Sequence, residues 1–332
     1  MFPRRRIDGN RERHYRRPLL VITVSACSLL FGACHQAELP GSDSLGPVAV
    51  TFDSHGSALQ GIFFPANVNP PTATVLLLHG FPGNDKEPLG LGTRMMHEGI
   101  NALAFNYRGT WASEGEFDPD RALEDVGSAM SFLSSPAMVE RHGIDTGSMF
   151  VAGSSFGGCM ALAFSAREPS VNKVIAVVAL DLSSYAALLE NNPDARAGWI
   201  AMMDELTSPS GMIRGQRGEA SYEWVRSNAG RYDPASTAGE LATKDLLLIG
   251  GWRDTETPIE SHLLPLVRAL QTHDAGQLTI EMLDDDHDLG ETRDALADRI
   301  VSWIGERTAA LGQVTGQAFP ETPSDVLASD PR

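Results

Sequence analysis

The sequence predicts an α/β fold, in which a mostly parallel central sheet is flanked by helices and a small, mainly helical insertion covers the functional site. Near-continuous apolar runs of strand length alternate with helical patterns along most of the chain. This alternation is typical of parallel strands that are buried on both faces of a sheet. The 332 residues are 42% hydrophobic, which indicates a globular chain long enough for one large core.

The elements can be justified in chain order. An edge hairpin is expected first, because two short alternating runs flank a turn at His55-Gly56. Gly99 is a typical C-cap for the first helix. Asp118-Pro119 supply the cap residue and first-turn proline that begin the second helix. The predicted strands are Val48–Phe52, Leu59–Phe64, Thr72–Leu78, Asn101–Tyr107, Ser148–Ala152, Asn172–Leu180, Asp245–Ile249 and Leu278–Leu283. The predicted helices are Leu89–Glu98, Asp118–Leu133, Pro258–Leu270 and Thr292–Gly305.

The first 33 residues carry the pattern of an export signal. Residues 1–17 hold seven arginines against Asp8 and Glu12, and the apolar stretch Leu19–Ala33 follows. A basic segment followed by about 15 apolar residues is typical of a secretory signal, and it is shorter than the roughly 20 residues of a membrane-spanning helix. The sequence therefore predicts an exported protein.

The end of this signal contains a possible lipidation site. Leu30-Phe31-Gly32-Ala33-Cys34 resembles the lipobox of bacterial lipoproteins, although leucine is commoner than Phe31 at that position. The resemblance implies lipidation at Cys34, a signal over 1–33, a tether over 34–47 and anchoring in the bacterial cell envelope, facing the periplasm or the exterior. Cys27 is the alternative site. An uncleaved anchor or a simple signal peptide is the alternative to lipidation.

Two segments interrupt or follow the alternating pattern. Residues 182–244 are expected to form the helical insertion, and their Met and Trp residues would either line an apolar pocket or form a small core of the insertion. Residues 308–332 are rich in Gly, Pro, Ser and Asp and are expected to be a disordered tail. The main domain is therefore expected over 48–307.

A glycine-flanked serine is the most informative feature of the chain. Gly153-Ser154-Ser155-Phe156-Gly157 follows a strand-like run and precedes a helix-like one. In this context the G-x-S-x-G pattern predicts a sharp turn that holds the Ser155 hydroxyl at the carboxyl end of the sheet. The helix that follows would favour developing negative charge there. Ser155 is therefore the candidate nucleophile.

An acid and a base follow Ser155 in the order that such a nucleophile requires. A serine needs a base to take its proton, and the base needs an acid to orient it. Asp254 follows the strand Asp245–Ile249, and His287 follows the strand Leu278–Leu283. The sequence predicts the triad Ser155, Asp254 and His287. Glu256 is an alternative acid, and His262 and His273 are alternative bases.

Two backbone N–H groups are candidates for stabilising an oxyanion. One belongs to Phe156, directly after the nucleophile, and the other belongs to Phe81 in the loop after Thr72–Leu78. Pro82 has no N–H to donate. His79 is expected to shape this loop and not to transfer protons.

These motifs together resemble the α/β-hydrolase superfamily over roughly residues 48–307. Asn106-Tyr107-Arg108-Gly109 and the segment 113–118 are similar to bacterial serine hydrolases of the esterase, dienelactone-hydrolase-like and prolyl-oligopeptidase types. That segment usually has a glycine where this chain has Trp111, so Trp111 is a candidate for shaping the substrate pocket. Dienelactone hydrolases proper use a cysteine nucleophile and haloalkane dehalogenases an aspartate, and Ser155 disfavours both activities.

The resemblance implies a serine hydrolase that cleaves carboxylic esters through an acyl-enzyme. A serine aminopeptidase or acyl-peptide hydrolase is the alternative, in which Glu114 and Glu116 could bind a substrate amine. A non-catalytic binding protein on the same fold is a third possibility. The sequence does not determine the oligomeric state.

Charge and composition limit the partners. The net charge of −17 disfavours nucleic acid and anionic lipid surfaces as electrostatic partners. The sequence has no phosphate-binding glycine loop and no metal-ligand cluster, so no cofactor or metal is expected. The expected partners are a small-molecule ester or peptide and, through the N-terminal lipid, a membrane. Cys159 is expected to be a small buried residue of the core.

Overall fold

An eight-stranded sheet organises the part of the chain that the structure describes. The structure is a computed structural model that describes residues 46–68, 70–83 and 86–315, and these residues all belong to one compact unit, Ala37–Arg332. The strands are β1 (Val48–Ser54), β2 (Ser57–Phe64), β3 (Thr72–Leu78), β4 (Asn101–Phe105), β5 (Ile144–Ser154), β6 (Lys173–Val177), β7 (Asp245–Gly251) and β8 (Leu278–Leu283). The predicted signal and almost all of the predicted tether lie outside the described residues.

The strand order places the predicted site residues along one edge of the sheet. The order is β1-β2-β4-β3-β5-β6-β7-β8. The hairpin β1–β2 is antiparallel, β2 is antiparallel to β4, and the pairs from β4 to β8 are parallel. The carboxyl ends of β3, β5, β7 and β8 therefore meet at the same edge.

Helices connect the strands and form the insertion. They are α1 (Leu91–His97), α2 (Pro119–Leu133), α3 (Pro136–His142), α4 (Phe156–Arg167), α5 (Leu182–Asn191), α6 (Pro193–Leu206), α7 (Gly218–Asn228), α8 (Ala238–Leu241), α9 (Ile259–His262), α10 (Leu264–Thr272) and α11 (Arg293–Thr315). Of these, α5 to α8 lie in the predicted insertion and make it mainly helical, as expected. No helix of the described residues is long and apolar enough to cross a membrane.

The core consists of apolar clusters on both faces of the sheet, which confirms the α/β class. One cluster packs α2, α4 and α10 against side chains such as Leu76 and Val151. The other packs α1 and α11 against alternate residues such as Val75 and Phe150, where the fully buried Trp303 contacts the Phe150 ring. Each buried strand thus contributes to both clusters, which explains its continuous apolar run.

Several element bounds differ from those that the sequence predicts. Strand β5 begins at Ile144 because an exposed polar segment precedes its buried half, and the apolar pattern marks only that half. Helix α3, which Ser135 caps, was not predicted. Helix α11 continues to Thr315, so residues 308–315 are helical and not part of a disordered tail. The remainder of that predicted tail lies outside the described residues.

Candidate active site

Ser155 lies at a strained turn between β5 and α4. Its φ of 53° and ψ of −119° fall outside the regions that most side-chain-bearing residues adopt. A Cβ on Gly153 would lie 2.1 Å from the Gly157 carbonyl oxygen, and a Cβ on Gly157 would lie 2.2 Å from the Leu78 carbonyl oxygen. Both positions therefore require glycine. Such strain costs on the order of 1–3 kcal/mol and is often found where a catalytic side chain must be displayed.

His287 and Asp254 form the hydrogen bond that a base and its orienting acid require. His287 Nδ1 lies 2.8 Å from Asp254 Oδ2. The other Asp254 oxygen accepts the backbone N–H groups of Glu256 at 2.8 Å and Thr257 at 2.9 Å, and the Thr257 hydroxyl donates to Oδ2 at 2.6 Å. The Asp254 side chain is fully buried. Four donors therefore hold this carboxylate in one orientation.

The same contacts set the ionisation of the pair. Burial alone would raise the pKa of Asp254, but the hydrogen bonds from His287 and Thr257 outweigh burial and lower that pKa to about 2. Burial alone would lower the pKa of His287, but the hydrogen bond and charge of Asp254 outweigh it and raise the pKa above the usual value. Asp254 is thus ionised at neutral pH, and its negative charge makes His287 more basic.

Ser155 and His287 line one cavity of about 350 Å³. Ser155 Oγ makes no hydrogen bond to another described residue, and His287 Nε2 lies 3.8 Å from a Glu256 carboxylate oxygen. Contacts between nucleophile and base are often long in a ligand-free site and shorten when substrate binds. The candidate nucleophile and the candidate base thus line the same cavity.

The predicted oxyanion donors lie beside Ser155. Phe156 is the first residue of α4, so its N–H is among those that the helix leaves unpaired. The Phe81 N–H has no hydrogen-bond partner among the described residues. Its loop runs close to the nucleophile, since a Cβ on Gly80 would lie 3.2 Å from the Ser155 Cβ. Phe81 and Phe156 both line the cavity.

The insertion supplies about half of the cavity wall. Helices α5, α6 and α7 all contribute apolar side chains, and the aromatic lining as a whole consists of Phe81, Phe117, Phe156, Tyr185, Trp199 and Trp224. The Phe81 ring packs against Trp199 with ring centroids 5.9 Å apart, and Trp199 contacts Tyr185 at 5.5 Å. The sequence predicted that Met and Trp residues of the insertion would either line a pocket or form a small core, but it did not predict which residues they would contact. These contacts depend on tertiary packing that no local sequence pattern encodes.

Trp111 does not line this cavity, which corrects the expectation that its ring shapes the pocket. Its backbone N–H donates to the Met212 carbonyl oxygen at 2.8 Å, and its own carbonyl accepts from Arg214 at 3.1 Å. Trp111 therefore joins the loop after β4 to the segment that connects α6 and α7. The sequence alone gave no sign of this contact.

The alternative acid and bases occupy other positions. Glu256 lies on the Nε2 side of His287, so it cannot replace Asp254 at Nδ1. His262 is buried, and its Nδ1 accepts the Asp181 N–H at 2.9 Å. Neither His262 nor His273 lines the cavity. Of the candidate acids, Asp254 is therefore the one hydrogen-bonded to His287 Nδ1, and of the candidate bases, His287 is the one that lines the cavity.

His79 and Cys159 are buried beside the site but are unsuited to proton transfer or attack. Burial lowers the pKa of His79 to about 4, so its ring is neutral, with Nδ1 2.7 Å from the Gly80 carbonyl oxygen. Burial also raises the pKa of the Cys159 thiol to about 12. His79 shapes the loop that carries Phe81, and Cys159 is a core residue. Among the described residues no group of His, Cys, Asp or Glu could hold a metal ion.

Fold and site together define an α/β-hydrolase of the serine hydrolase class. The chain belongs to the prolyl oligopeptidase family, which it matches over residues 93–310. It is also 28% identical over 154 residues to the uncharacterized protein YfhR of Salmonella typhimurium, which covers 44% of this chain and 51% of that protein. The chain thus spans about half the length of the curated relatives that it matches.

Solved structures share the fold at low sequence identity. A complex of DcsB with its substrate analogue is 16% identical, covers 80% of this chain and 100% of that chain, and has a TM-score of 0.60. Est1E from Butyrivibrio proteoclasticus is 15% identical over 79% of this chain and 99% of its own, with a TM-score of 0.57. The Pyrococcus furiosus esterase Pf2001 is 16% identical over 82% and 97%, with a TM-score of 0.55. These likenesses support the α/β-hydrolase fold.

Proposed function

We propose that the protein cleaves carboxylic esters through an acyl-enzyme, with Ser155, Asp254 and His287 as its catalytic triad. The observation that carries the proposal is the strained Ser155 turn facing the same cavity as a His287 that is hydrogen-bonded to a buried carboxylate. The turn at Ser155 is strained, and the pKa values of Asp254 and His287 are both shifted from their ordinary values. The convergence of strain and shifted pKa values at one cavity favours catalysis over a purely structural role.

The chemistry follows the roles of these groups. His287 Nε2 takes the Ser155 proton as Oγ attacks the ester carbonyl, and the tetrahedral oxyanion accepts hydrogen bonds from the Phe81 and Phe156 N–H groups. The protonated His287 then gives its proton to the departing alcohol, leaving an acyl group on Ser155. Water repeats the sequence and releases the acid. Asp254 stays ionised throughout and stabilises the imidazolium.

The cavity lining supports an uncharged, apolar substrate group. Apart from the site itself, most of the cavity wall is aromatic or aliphatic. A volume of about 350 Å³ is at the small end of the usual range for ligand pockets, about 300–1,000 Å³. Short and medium acyl groups should therefore be preferred to long ones.

Peptide cleavage is the second candidate, and one observation favours it. The Glu256 carboxylate lines the cavity and is largely exposed, so it could bind a substrate amine. The acids first expected in this role do not line the cavity: Glu114 accepts the Ala58 N–H at 2.9 Å, and Glu116 pairs with Arg121 at 3.4 Å. An aminopeptidase would therefore depend on Glu256 instead, whereas an acyl-peptide hydrolase, whose substrate has no free N-terminal amine, would not.

The test compares a soluble form beginning near Leu39 with its Ser155→Ala variant. The substrates are p-nitrophenyl esters of increasing acyl length and aminoacyl p-nitroanilides. We expect ester hydrolysis that is lost in the variant, down to the background rate, with a maximum at short or medium acyl length. Anilide cleavage in preference to ester cleavage would move the peptidase assignment to first place. Unchanged ester hydrolysis in the variant would contradict the assignment of Ser155.

A further inference from the structure

Besides the Asp254–His287 hydrogen bond, the side chain of Arg253 joins the two loops that carry the acid and the base. The acid loop (252–258) follows β7 and carries Asp254, and the base loop (284–292) follows β8 and carries His287. Arg253 directly precedes Asp254. Its backbone N–H donates to the Asp285 carbonyl oxygen at 2.9 Å.

The Arg253 guanidinium contacts the base loop at both of its ends. At the start of the loop it donates to the Asp284 carbonyl oxygen at 2.8 Å and lies 3.2 Å from the Asp284 carboxylate. Near the end of the loop it donates to the Glu291 carboxylate at 2.6 Å. His287 lies between these two attachment points, so the guanidinium spans the segment that must present the imidazole.

A second group fixes the base loop from within. The Asp285 side chain is buried and accepts the Thr292 N–H at 2.7 Å and the Asp286 N–H at 2.8 Å. Asp285 also lies 3.7 Å from the Arg253 guanidinium. Asp285 thus stabilises the shape of the base loop from within, whereas Arg253 attaches both ends of that loop to the acid loop.

We propose that Arg253 is a positioning residue that fastens both ends of the base loop to the acid loop and thereby holds His287 against Asp254. An isolated exposed ion pair has little effect on a structure. Arg253 differs because its planar guanidinium contacts one carbonyl oxygen and two carboxylates of the base loop. Arg253 is also the residue directly before Asp254 in the chain. Lysine offers a single point charge and cannot reproduce this arrangement.

If Arg253 holds the base loop in place, replacing Arg253 should change the pKa of His287. The charged groups that face this imidazole are Asp254, Glu256 and Asp288, and the buried His262 also interacts with it electrostatically. Asp254 contributes most to the raised pKa of His287. If the base loop loosens, the Asp254 contact weakens first, and the pKa of His287 falls toward its ordinary value.

The experiment measures kcat and KM across pH for the wild type and for Arg253→Gln, Arg253→Lys and Glu291→Gln. Arg253→Gln should lower kcat on the order of tenfold with KM within twofold, because misplacement affects the reacting groups and not the cavity. The acidic limb of its kcat/KM profile should move to lower pH. Arg253→Lys should be intermediate, and Glu291→Gln should have a smaller effect of the same kind.

Arg94→Gln is the matched control. Arg94 also bridges two elements through an ion pair, at 2.6 Å to Asp298, but it does so between α1 and α11 and away from the cavity. It should leave kcat and the acidic limb unchanged. The inference would be overturned if Arg253→Gln kept both the wild-type kcat and the wild-type acidic limb. If Arg253→Gln did not fold, an unchanged profile in both Arg253→Lys and Glu291→Gln would overturn it.

Because the inference rests on the proposed function, each variant is also tested by its rate of fluorophosphonate labelling at Ser155. Slower labelling in Arg253→Gln than in the wild type and in Arg94→Gln would support the positioning role without reference to any substrate. Wild-type protein that labels at Ser155 but hydrolyses no ester would contradict only the ester assignment. Wild-type protein that does not label would contradict both proposals.

Discussion

Two carboxylates approach the His287 imidazole at different ring nitrogens. Asp254 contacts Nδ1 from a fully buried position, and Glu256 approaches Nε2 from the exposed mouth of the cavity. Both carboxylates raise the pKa of His287, but only Asp254 is placed to orient the ring. In the proposed mechanism, Glu256 lies on the side where the imidazole meets Ser155 and the substrate. Its effect should therefore be seen in the pH dependence of the reaction.

Replacing Glu256 with glutamine should extend activity to lower pH. His287 acts as a base only when it is neutral, and the Glu256 charge favours the protonated form. The Glu256→Gln variant should have a lower pKa for His287, so the acidic limb of its kcat/KM profile should move to lower pH. The measurement is kcat/KM for the preferred ester from about pH 4 to 9, a window chosen around the usual histidine pKa of about 6.5.

Glu260→Gln is the control for this change. Glu260 is an exposed carboxylate on α9, and it is not among the charged groups that raise the pKa of His287 most, which are Asp254, Glu256 and Asp288. Its profile should coincide with that of the wild type. A limb that stayed in place in Glu256→Gln, or one that moved equally in Glu260→Gln, would argue against a specific effect of Glu256.

At the scale of elements, the strands and the helical character of the insertion could be predicted, but the contacts of the insertion could not. Continuous apolar runs ended near Leu78, Ile249 and Leu283, so the loops that carry Phe81, Asp254 and His287 could be placed from the sequence alone. Strands β3 and β7 are buried on both faces, and a strand of that kind is specified by its own residues. Strand β8 is only half-buried, but its apolar run is bounded by the polar residues that follow Leu283.

The insertion differs because its contacts are made between elements. Trp199 packs on Phe81, which lies more than a hundred residues earlier in the chain, and Trp111 is joined to Met212 and Arg214. Hydrophobic pattern predicts that such residues will be buried but not which partner each will contact. The Trp111 expectation failed for this reason, and the Phe81–Trp199 contact was not anticipated.

The packing of Trp199 predicts that the insertion supports the oxyanion site as well as the substrate. The Phe81 ring lies among the rings of Trp199, Phe117 and Phe156, at centroid distances of 5.9, 5.4 and 6.2 Å. Removing the Trp199 ring in Trp199→Leu should free Phe81 and misalign its N–H. We expect kcat to fall on the order of tenfold for acetyl and longer acyl esters alike.

Trp224→Leu provides the comparison for that experiment. Trp224 lines the same cavity, but its ring packs on Tyr232 at 6.3 Å. Its replacement should alter the preference among long acyl groups and leave acetyl ester hydrolysis near the wild-type rate. If Trp199→Leu also slowed only the longer esters, Trp199 would be a pocket wall and not a support for Phe81.

At the scale of the whole molecule, the cavity determines which substrates can bind, whereas the N-terminal segment concerns attachment to a membrane. The acidic chain, with a net charge of −17, carries its positive residues disproportionately in the first 17 positions, which lie outside the described residues. The cavity is lined by residues between Phe81 and His287, none of which belongs to the predicted signal or tether. Membrane anchoring is therefore a separate proposal that rests on sequence and is tested separately.

Full-length protein expressed in a bacterial host should separate with the membrane fraction, and Cys34→Ala should move it to the soluble fraction while preserving specific activity. The reason is that a lipid on Cys34 would be the attachment, whereas the catalytic unit begins only near Val48. Cys27→Ala is the matched control and should remain with membranes.

Release by Cys27→Ala but not by Cys34→Ala would transfer lipidation to the earlier cysteine. Membrane retention in both single variants and in the double variant would contradict a lipid anchor and indicate an uncleaved apolar segment. Wild-type protein that is already in the soluble fraction would indicate a simple signal peptide.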